Sequence, residues 1–139
     1  MIKKGEIGVA SKKLRRSFHR EIIYDIISST DIHPTAEWIY EKAKKVIPTI
    51  SLGTVYRNLN ILKEEGRIIE IVDEKEGRFD AKTYKHFHFK CHSCGNIYDV
   101  ENLDIINIDK NYFEKRGFSI EGCDIVFNGI CNYCLREGN

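Results

Sequence analysis

The chain has 139 residues, of which 42% are hydrophobic and 31% are charged, and its formal net charge is +1 at pH 7. This composition is typical of a globular protein with one ordinary domain or two small ones, and it excludes an intrinsically disordered chain. No apolar run approaches the ~20 residues of a membrane span, and the N-terminus lacks an apolar stretch of signal-peptide length. We therefore expect a cytoplasmic protein with no membrane contact.

The small net charge hides a difference between the two halves of the chain. Residues 1–78 carry 15 lysines and arginines against 12 acidic residues, whereas residues 79–139 carry 7 against 9. Seven basic residues fall in the first twenty positions: Lys3, Lys4, Lys12, Lys13, Arg15, Arg16 and Arg20. A basic front half favours a polyanionic partner, although a solvated N-terminal arm would have the same composition.

The front half predicts three helices, because apolar residues recur there at helical spacing. The first covers residues 13–28. The second covers residues 31–46, with Pro34 in its first turn. The third begins after Ser51 as N-cap and stops at Gly66. The apolar positions are Leu14, Phe18, Ile22, Ile26 and Ile27 in the first helix, Ala36, Ile39, Tyr40 and Ala43 in the second, and Leu52, Val55, Leu59 and Leu62 in the third.

Two short β-rich pieces around an acidic, glycine-containing turn follow at residues 67–82 and predict a hairpin. Three helices and a hairpin are the element order of a winged helix-turn-helix, in which the third helix enters the DNA major groove. Its apolar positions leave 54, 57 and 58 exposed. We expect this helix to contact DNA through two hydroxyls, an aromatic ring and a guanidinium. These belong to Ser51, Thr54, Tyr56 and Arg57. A solvated polar face on an ordinary three-helix core is the alternative.

The second half predicts a small α/β unit. Strand-like runs stand at 86–91, 95–100 and 118–131, and a short helix begins near Asp109 and ends at Gly117. The predicted fold class is therefore α+β: a winged-helix domain over residues 1–78, a hinge over 79–82 and a small α/β domain over 83–139.

All five cysteines lie in this second half, and four of them form two CxxC pairs: Cys91, Cys94, Cys131 and Cys134. Two such turns provide the four thiolates of a closed tetrahedral zinc site, which would be structural. Thirty-six residues separate the pairs, more than in an ordinary zinc ribbon, and the intervening helix and strands account for this length if both turns lie at one end of the sheet. Four free thiols in turns are the alternative. We expect Cys123 to be a buried, apolar-like residue on a strand.

A second metal site is indicated by His86 and His88. Residues i and i+2 of a strand point to the same face, so both imidazoles are available to one ion. Two structural histidines would give the same pattern.

With these motifs the chain resembles the ferric uptake regulator family, and within it most closely the peroxide-sensing repressors. The resemblance runs from about residue 13 to residue 134 and is carried by "HPTAEWIY", "SLGTVYRNL", "GRFD", "HFHFKCHSCG", "IYDV" and "GICNYC". It implies a homodimeric, metal-dependent repressor, not an enzyme, that binds a double-stranded DNA operator. It also implies that the C-terminal domain dimerises and that the four paired cysteines hold structural Zn²⁺. Arg15 and Arg20 match part of a basic run at the start of the family's DNA-binding domain and are expected DNA contacts.

The resemblance further implies a regulatory Fe²⁺ or Mn²⁺ site. Carried over by position, its ligands are His33, Asp80, His86, His88 and Asp99. Asp80 favours the peroxide-sensing branch, because the iron-sensing branch typically has Glu there. In that branch iron-catalysed oxidation of a ligand histidine, here His33 or His86, ends repression.

Three other functions would use some of the same residues. An iron- or zinc-level sensor of the same family would use the same ligands without oxidation chemistry. A zinc metallohydrolase is disfavoured because no general base stands beside the histidine pair. A purely structural zinc module would leave the basic front half and the exposed third-helix residues without a role.

Overall fold

The computed structural model describes residues 4–73 and 75–138, with side chains from residue 12 onward. The side chains of Lys3 and Lys4, counted above in the basic front half, lie outside the described residues. The chain divides into two compact units, Met1–Thr83 and Tyr84–Asn139. Phe79 and Asp80, which lie inside the predicted hinge at 79–82, complete a strand of the first unit, and the division between the units falls after Thr83.

The first unit contains helices α1 (Lys4–Ser28), α2 (Ala36–Lys44) and α3 (Leu52–Glu64). Thr35 caps α2 by accepting from the Trp38 N–H, and Ser51 caps α3 by accepting from the Thr54 N–H. Pro34 thus precedes the N-cap of α2 instead of lying in its first turn. Gly66 ends α3 with φ of +71°, a conformation that glycine adopts without a steric cost.

The three helices and the hairpin enclose one apolar core. Its buried residues are Ile23, Ile27, Ala36, Ile39, Ala43, Ile47, Ile50, Val55, Leu59, Leu62, Ile68 and Phe79. The predicted stripes of α2 and α3 supply most of it. The predicted face of α1 is wrong in its first half, because Leu14 and Phe18 are 71% and 54% exposed. Ile27 of the predicted face is in the core and Ile22 and Ile26 pack against it, while Ile23 is buried although it was not predicted.

The predicted hairpin is present as strands β1 (Ile69–Val72) and β2 (Gly77–Asp80), which pair antiparallel. On β2, Phe79 points into the core, so its neighbours Arg78 and Asp80 share the opposite face. The free edge of β2 is covered by the segment before α2, since the Phe79 N–H donates to the Pro34 carbonyl at 2.9 Å.

The second unit is a three-stranded sheet of β3 (Phe87–Cys91), β4 (Ile97–Val100) and β5 (Val126–Gly129), in the order β4-β3-β5. β4 pairs antiparallel with β3, and β5 pairs parallel with it. A 3₁₀ turn (Leu103–Ile105) and helix α4 (Lys110–Glu114) connect β4 to β5. The helix begins next to Asp109 as expected, and Asp109 is its N-cap.

Two sequence expectations for the second unit are wrong. The chain after Cys131 is a short helix, α5 (Asn132–Arg136), and not a plain turn. The predicted last strand is only four residues long, so Cys123 lies before it in a non-strand segment, half-buried. The overall class, α+β with a winged helix-turn-helix and a small C-terminal α/β unit, is confirmed.

Candidate metal centres and nucleic-acid interface

The two CxxC pairs meet at one end of the second unit's sheet. Cys91 ends β3, and Cys131 follows β5, its parallel neighbour, so the ladder itself brings the pairs together. The Sγ atoms of Cys91 and Cys134 are 3.8 Å apart, as are those of Cys94 and Cys131, and all four sulfurs lie within 4.8 Å of one another. Four sulfurs at 2.3 Å from a tetrahedral zinc ion are about 3.8 Å apart, so this donor set fits Zn²⁺.

Backbone amides favour the thiolate form in this cluster. The Cys94 N–H donates to the Cys91 sulfur at 3.5 Å, and the Cys131 N–H donates to the same sulfur at 3.3 Å. These bonds, that of Cys94 first, lower the pKa of Cys91 to about 6. A hydrogen bond from Tyr98 lowers the pKa of Cys131. Cys134 differs, because a lowering hydrogen bond with Ser93 is outweighed by burial and by its cysteine neighbours, which raise its pKa to about 11. Thiolates are the form that binds a metal ion, so Cys91 and Cys131 are the two cysteines whose surroundings favour ligation.

In the first unit, His33 and Asp80 form a buried pair. The His33 Nε2 and Asp80 Oδ2 atoms are 3.4 Å apart, and both side chains are less than 10% exposed. Donors that bind one ion at ~2.1 Å with angles of 90–109° lie about 3.0–3.4 Å apart, so two ligands of one ion fit this spacing.

The backbone at His33 is unusual. Its φ is +55°, in the left-handed region, and it is the one non-glycine residue with positive φ among the described residues. Such a conformation costs energy in a residue with a Cβ and persists where neighbouring contacts enforce it. Arg78 supplies such contacts: its Nε donates to the His33 carbonyl, and its Nη2 donates to the Ile32 carbonyl at 2.8 Å.

In the second unit, the β-ladder brings the other predicted ligands together. His88 on β3 stands directly opposite Asp99 on β4. Asp99 Oδ1 is 3.6 Å from Nε2 of His88 and 3.2 Å from Nε2 of His86. The two imidazoles lie on one side of the strand, as their spacing predicted, with ring centroids 4.4 Å apart.

The tautomer of His86 is fixed by the backbone. Its Nδ1 lies 2.7 Å from the Tyr84 carbonyl oxygen, which can only accept, so Nδ1 carries the proton. Nε2, which lies 3.2 Å from Asp99 Oδ1, is then the ring nitrogen that remains for a metal ion. That arrangement is favourable once a cation binds both atoms, and a carbonyl on the other ring nitrogen is the usual support of a metal-binding histidine.

On α3 the predicted DNA contacts are distributed as follows. Arg57 is exposed, and Tyr56 is 43% exposed with its hydroxyl donating to Glu37 Oε1 at 3.1 Å. The hydroxyls of Ser51 and Thr54 are 2.9 Å apart. The expectation that position 58 is exposed is wrong: Asn58 is 4% exposed, and its Nδ2 donates to the Thr54 carbonyl.

The two arginines of α1 differ. Arg15 is exposed, whereas Arg20 is half-buried with Nη1 3.7 Å from Glu65 Oε1. Arg15 is therefore available to a phosphate. Arg20 would have to give up its ion pair with Glu65 to bind a phosphate. Among the described residues, no helix is long and apolar enough to span a membrane.

The family model of the ferric uptake regulator family matches residues 11–128. The chain belongs to the ferric uptake regulator family. The matched segment includes all five predicted regulatory ligands and the first CxxC pair, and it ends before Cys131 and Cys134. Family membership shows a transcriptional regulator of the metal-responsive type.

Individual relatives agree with this assignment. The peroxide-responsive repressor PerR of Staphylococcus epidermidis is 31% identical over 121 residues, which cover 86% of this chain and 81% of that protein. The structure of the Campylobacter jejuni peroxide stress regulator is 26% identical with a TM-score of 0.75, covering 96% of this chain and all of the other. The Helicobacter pylori ferric uptake regulator, described with three functional metal-binding sites, shares the fold at 22% identity, a TM-score of 0.74 and 97% coverage of both chains.

Sequence reasoning missed Arg78 and the Tyr84 carbonyl. Arg78 stands in the quoted "GRFD" but received no role, because its partners are main-chain oxygens of residues 45 positions away. A carbonyl acceptor has no residue-type signature, so nothing in the sequence marks Tyr84 as the support of His86.

Proposed function

We propose that the protein is a peroxide-responsive, metal-dependent transcriptional repressor that binds operator DNA as a homodimer. The observation that carries the proposal is the buried His33–Asp80 pair. Its acidic member is an aspartate, whereas the iron-sensing branch typically has a glutamate at this position. The roughly 30% identity to proteins named peroxide-responsive repressors supports it.

The regulatory ion takes His33, Asp80, His86, His88 and Asp99 as ligands, as the family resemblance implies. The geometry within each unit supports this set, because each unit holds imidazole Nε2 atoms 3.2–3.6 Å from a carboxylate oxygen. Mixed imidazole and carboxylate ligation suits Fe²⁺, Mn²⁺ or Zn²⁺, and availability in the cell decides which ion binds. An ion that binds ligands of both units stabilises one arrangement of them, and we propose that this arrangement binds DNA.

Structural zinc is held by Cys91, Cys94, Cys131 and Cys134. The sulfur spacing supports this role, and a closed thiolate shell leaves no position for a reactant. Dimerisation is assigned to the second unit. It carries a large share of exposed apolar side chains for its size, as expected for a surface that a second copy covers: Ile105, Tyr112, Phe118, Val126, Tyr133 and Leu135.

Sensing occurs through the ligand histidines. Fe²⁺ held by these ligands would supply the electron that reduces peroxide. His33 and His86 are the residues that gain oxygen, and an oxidised imidazole is a weaker ligand. The carbonyl of Tyr84 holds the His86 proton on Nδ1 and keeps Nε2 turned toward the ion.

The test compares the Fe²⁺ and Mn²⁺ forms after treatment with a small excess of hydrogen peroxide. DNA selected from a random library by the Mn²⁺ form serves as ligand. We expect the Fe²⁺ form to lose DNA binding and to gain one oxygen on the peptide containing His33 or His86, while the Mn²⁺ form keeps both its DNA affinity and its mass.

Three outcomes would contradict peroxide sensing by histidine. Oxygen on cysteine, or equal DNA release from the Mn²⁺ form, would indicate a thiol-based sensor. Unchanged DNA binding and mass in both forms would favour a sensor of iron or zinc level that uses the same ligands.

A further inference from the structure

Arg78 on β2 connects the β1–β2 hairpin to the segment before α2 by donating hydrogen bonds to main-chain carbonyls of that segment. Its guanidinium donates through Nε to the His33 carbonyl and through Nη2 to the Ile32 carbonyl at 2.8 Å. The next residue, Phe79, donates its N–H to the Pro34 carbonyl at 2.9 Å. Three successive carbonyls of one segment are therefore held by two successive residues of β2.

The segment held in this way contains the one described non-glycine residue with positive φ, His33 at +55°. A left-handed residue with a Cβ reverts to a more common conformation unless neighbouring contacts oppose it. Reversion would rotate the imidazole away from its present direction. The carbonyl of His33 is the group that Arg78 holds, so the contact acts on the strained residue itself.

The other half of the pair is positioned by the same strand. Arg78 and Asp80 are residues i and i+2 of β2 and share the face opposite Phe79. Strand β2 thus carries the carboxylate of Asp80 itself, and through Arg78 it also positions the imidazole of His33. The His33 Nε2 lies 3.4 Å from Asp80 Oδ2.

We propose that Arg78 is a positioning residue of the regulatory metal site, which fixes the His33 imidazole in its ligand orientation by holding the strained 32–33 backbone. This inference rests on the proposed ligand role of His33. The planar guanidinium is required because its Nε and Nη2 donate in two fixed directions, one to each carbonyl. A lysine ammonium on a flexible side chain does not reproduce this geometry. Supports of this kind typically change metal affinity by about 10- to 100-fold when removed.

The experiment measures Mn²⁺ affinity by titration calorimetry and by the electron paramagnetic resonance signal of free Mn²⁺, on the full-length, zinc-containing protein. Arg78→Ala is compared with Arg67→Ala, which removes an arginine from the same unit without touching residues 32–34. Arg67 bonds Glu21 with two contacts of 2.6 and 2.9 Å and covers the Tyr24 ring. Zinc content and circular dichroism establish that each variant is folded.

We expect Arg78→Ala to weaken Mn²⁺ binding about 10- to 100-fold, and Arg67→Ala to leave it within about threefold of the unchanged protein. In a His33→Ala background, Arg78→Ala should cause no further loss, because a positioning residue has no effect once the group it positions is absent. A purely structural role would give additive losses in this double-mutant cycle. If Arg78→Ala does not fold, Arg78→Lys replaces it in the cycle, with a loss of the same sign expected.

Three results overturn the inference. Unchanged Mn²⁺ affinity in folded Arg78→Ala, or a loss that adds fully to that of His33→Ala, would show that Arg78 does not act through His33 while leaving the ligand set intact. Unchanged Mn²⁺ affinity in His33→Ala itself would remove His33 from the ligand set, which contradicts the proposed regulatory site and this inference together.

Discussion

Neighbouring side chains on α3 have opposite environments. Successive helical residues are rotated by about 100°, so Arg57 projects into solvent while Asn58 is buried and donates to the Thr54 carbonyl. The sequence pattern placed both residues outside, because both are polar. Only the packing of other parts of the chain against α3 decides that the Asn58 side is covered. The two residues therefore make a matched pair for separating DNA recognition from stability.

Arg57→Ala should weaken operator binding by roughly 1–3 kcal/mol if its guanidinium contacts a base edge, with relaxed specificity at one position. The free energy of unfolding should change by less than about 0.5 kcal/mol, because the side chain is exposed. Asn58→Ala should instead lower the free energy of unfolding by about 1–3 kcal/mol. Gel-shift titrations on selected DNA and urea unfolding measure the two quantities. Unaltered DNA affinity, specificity and salt dependence in Arg57→Ala would remove this residue from the interface.

At the scale of single elements, Ser51 at the start of α3 has an observed role as N-cap and a proposed role as DNA contact. Ser51 accepts from the Thr54 N–H at 3.1 Å and so satisfies a backbone donor at the first turn. It also stands where the third helix of a winged helix-turn-helix approaches the phosphate backbone, and helix N-termini favour anions. Capping and DNA contact can be separated by the charge of the residue placed there.

Ser51→Ala should lower the free energy of unfolding by about 1 kcal/mol through loss of the cap. Ser51→Asp keeps a capping acceptor, so stability should stay near that of the unchanged protein, whereas DNA affinity should fall because a carboxylate meets phosphates. Thermal unfolding and DNA titration of both variants provide the check. Equal DNA affinity in Ser51→Asp would place the N-terminus of α3 away from the duplex.

For the whole molecule, the two proposed metal sites differ in how far their surrounding structure depends on the ion. The four-cysteine cluster joins β3, the turn after it and α5, and so closes the second unit from both ends of its chain. The histidine and carboxylate ligands belong to preformed local structures: the segment held against β2 in the first unit, and the β3–β4 ladder in the second. Zinc should therefore determine folding, and the regulatory ion should determine DNA affinity.

Cys94→Ser should leave the second unit unfolded and the protein monomeric, because structural zinc contributes on the order of 10 kcal/mol, comparable to the stability of a whole domain. Cys123→Ser is the matched control, since Cys123 lies outside the cluster, and it should keep zinc and dimer. Zinc analysis, sedimentation and circular dichroism distinguish the variants. A stable, zinc-free dimer with a native spectrum in Cys94→Ser would refute the folding role.

His33→Ala and Asp80→Ala should retain zinc and the dimer but lose metal-stimulated DNA binding. Coupling between two sites is typically worth about 5- to 150-fold in affinity, and this is the stimulation that should disappear. His92 is an exposed histidine beside the cysteine cluster. The control variant His92→Ala should keep the metal stimulation of DNA binding. DNA titration with and without Mn²⁺ measures the ratio, and normal stimulation in either ligand variant would show that these residues are not ligands.

The sequence by itself determined the residue types of both metal sites and the order of the elements. CxxC spacing, the alternation of His86 and His88, and the caps Ser51 and Asp109 are local features, because each depends on a few neighbouring residues and on the period of a strand or a helix. For the same reason the hairpin and the α+β class were predictable.

The tertiary structure alone decided which surfaces are covered and which main-chain groups serve the sites. Leu14 and Phe18 fit the helical period but extend beyond the core, since burial depends on whether a distant element lies opposite. Arg78 finds its acceptors on carbonyls 45 and 46 residues away, and His33 takes a left-handed conformation that its residue type disfavours. Every residue has a carbonyl, so no pattern of side chains predicts which one a distant arginine will bind.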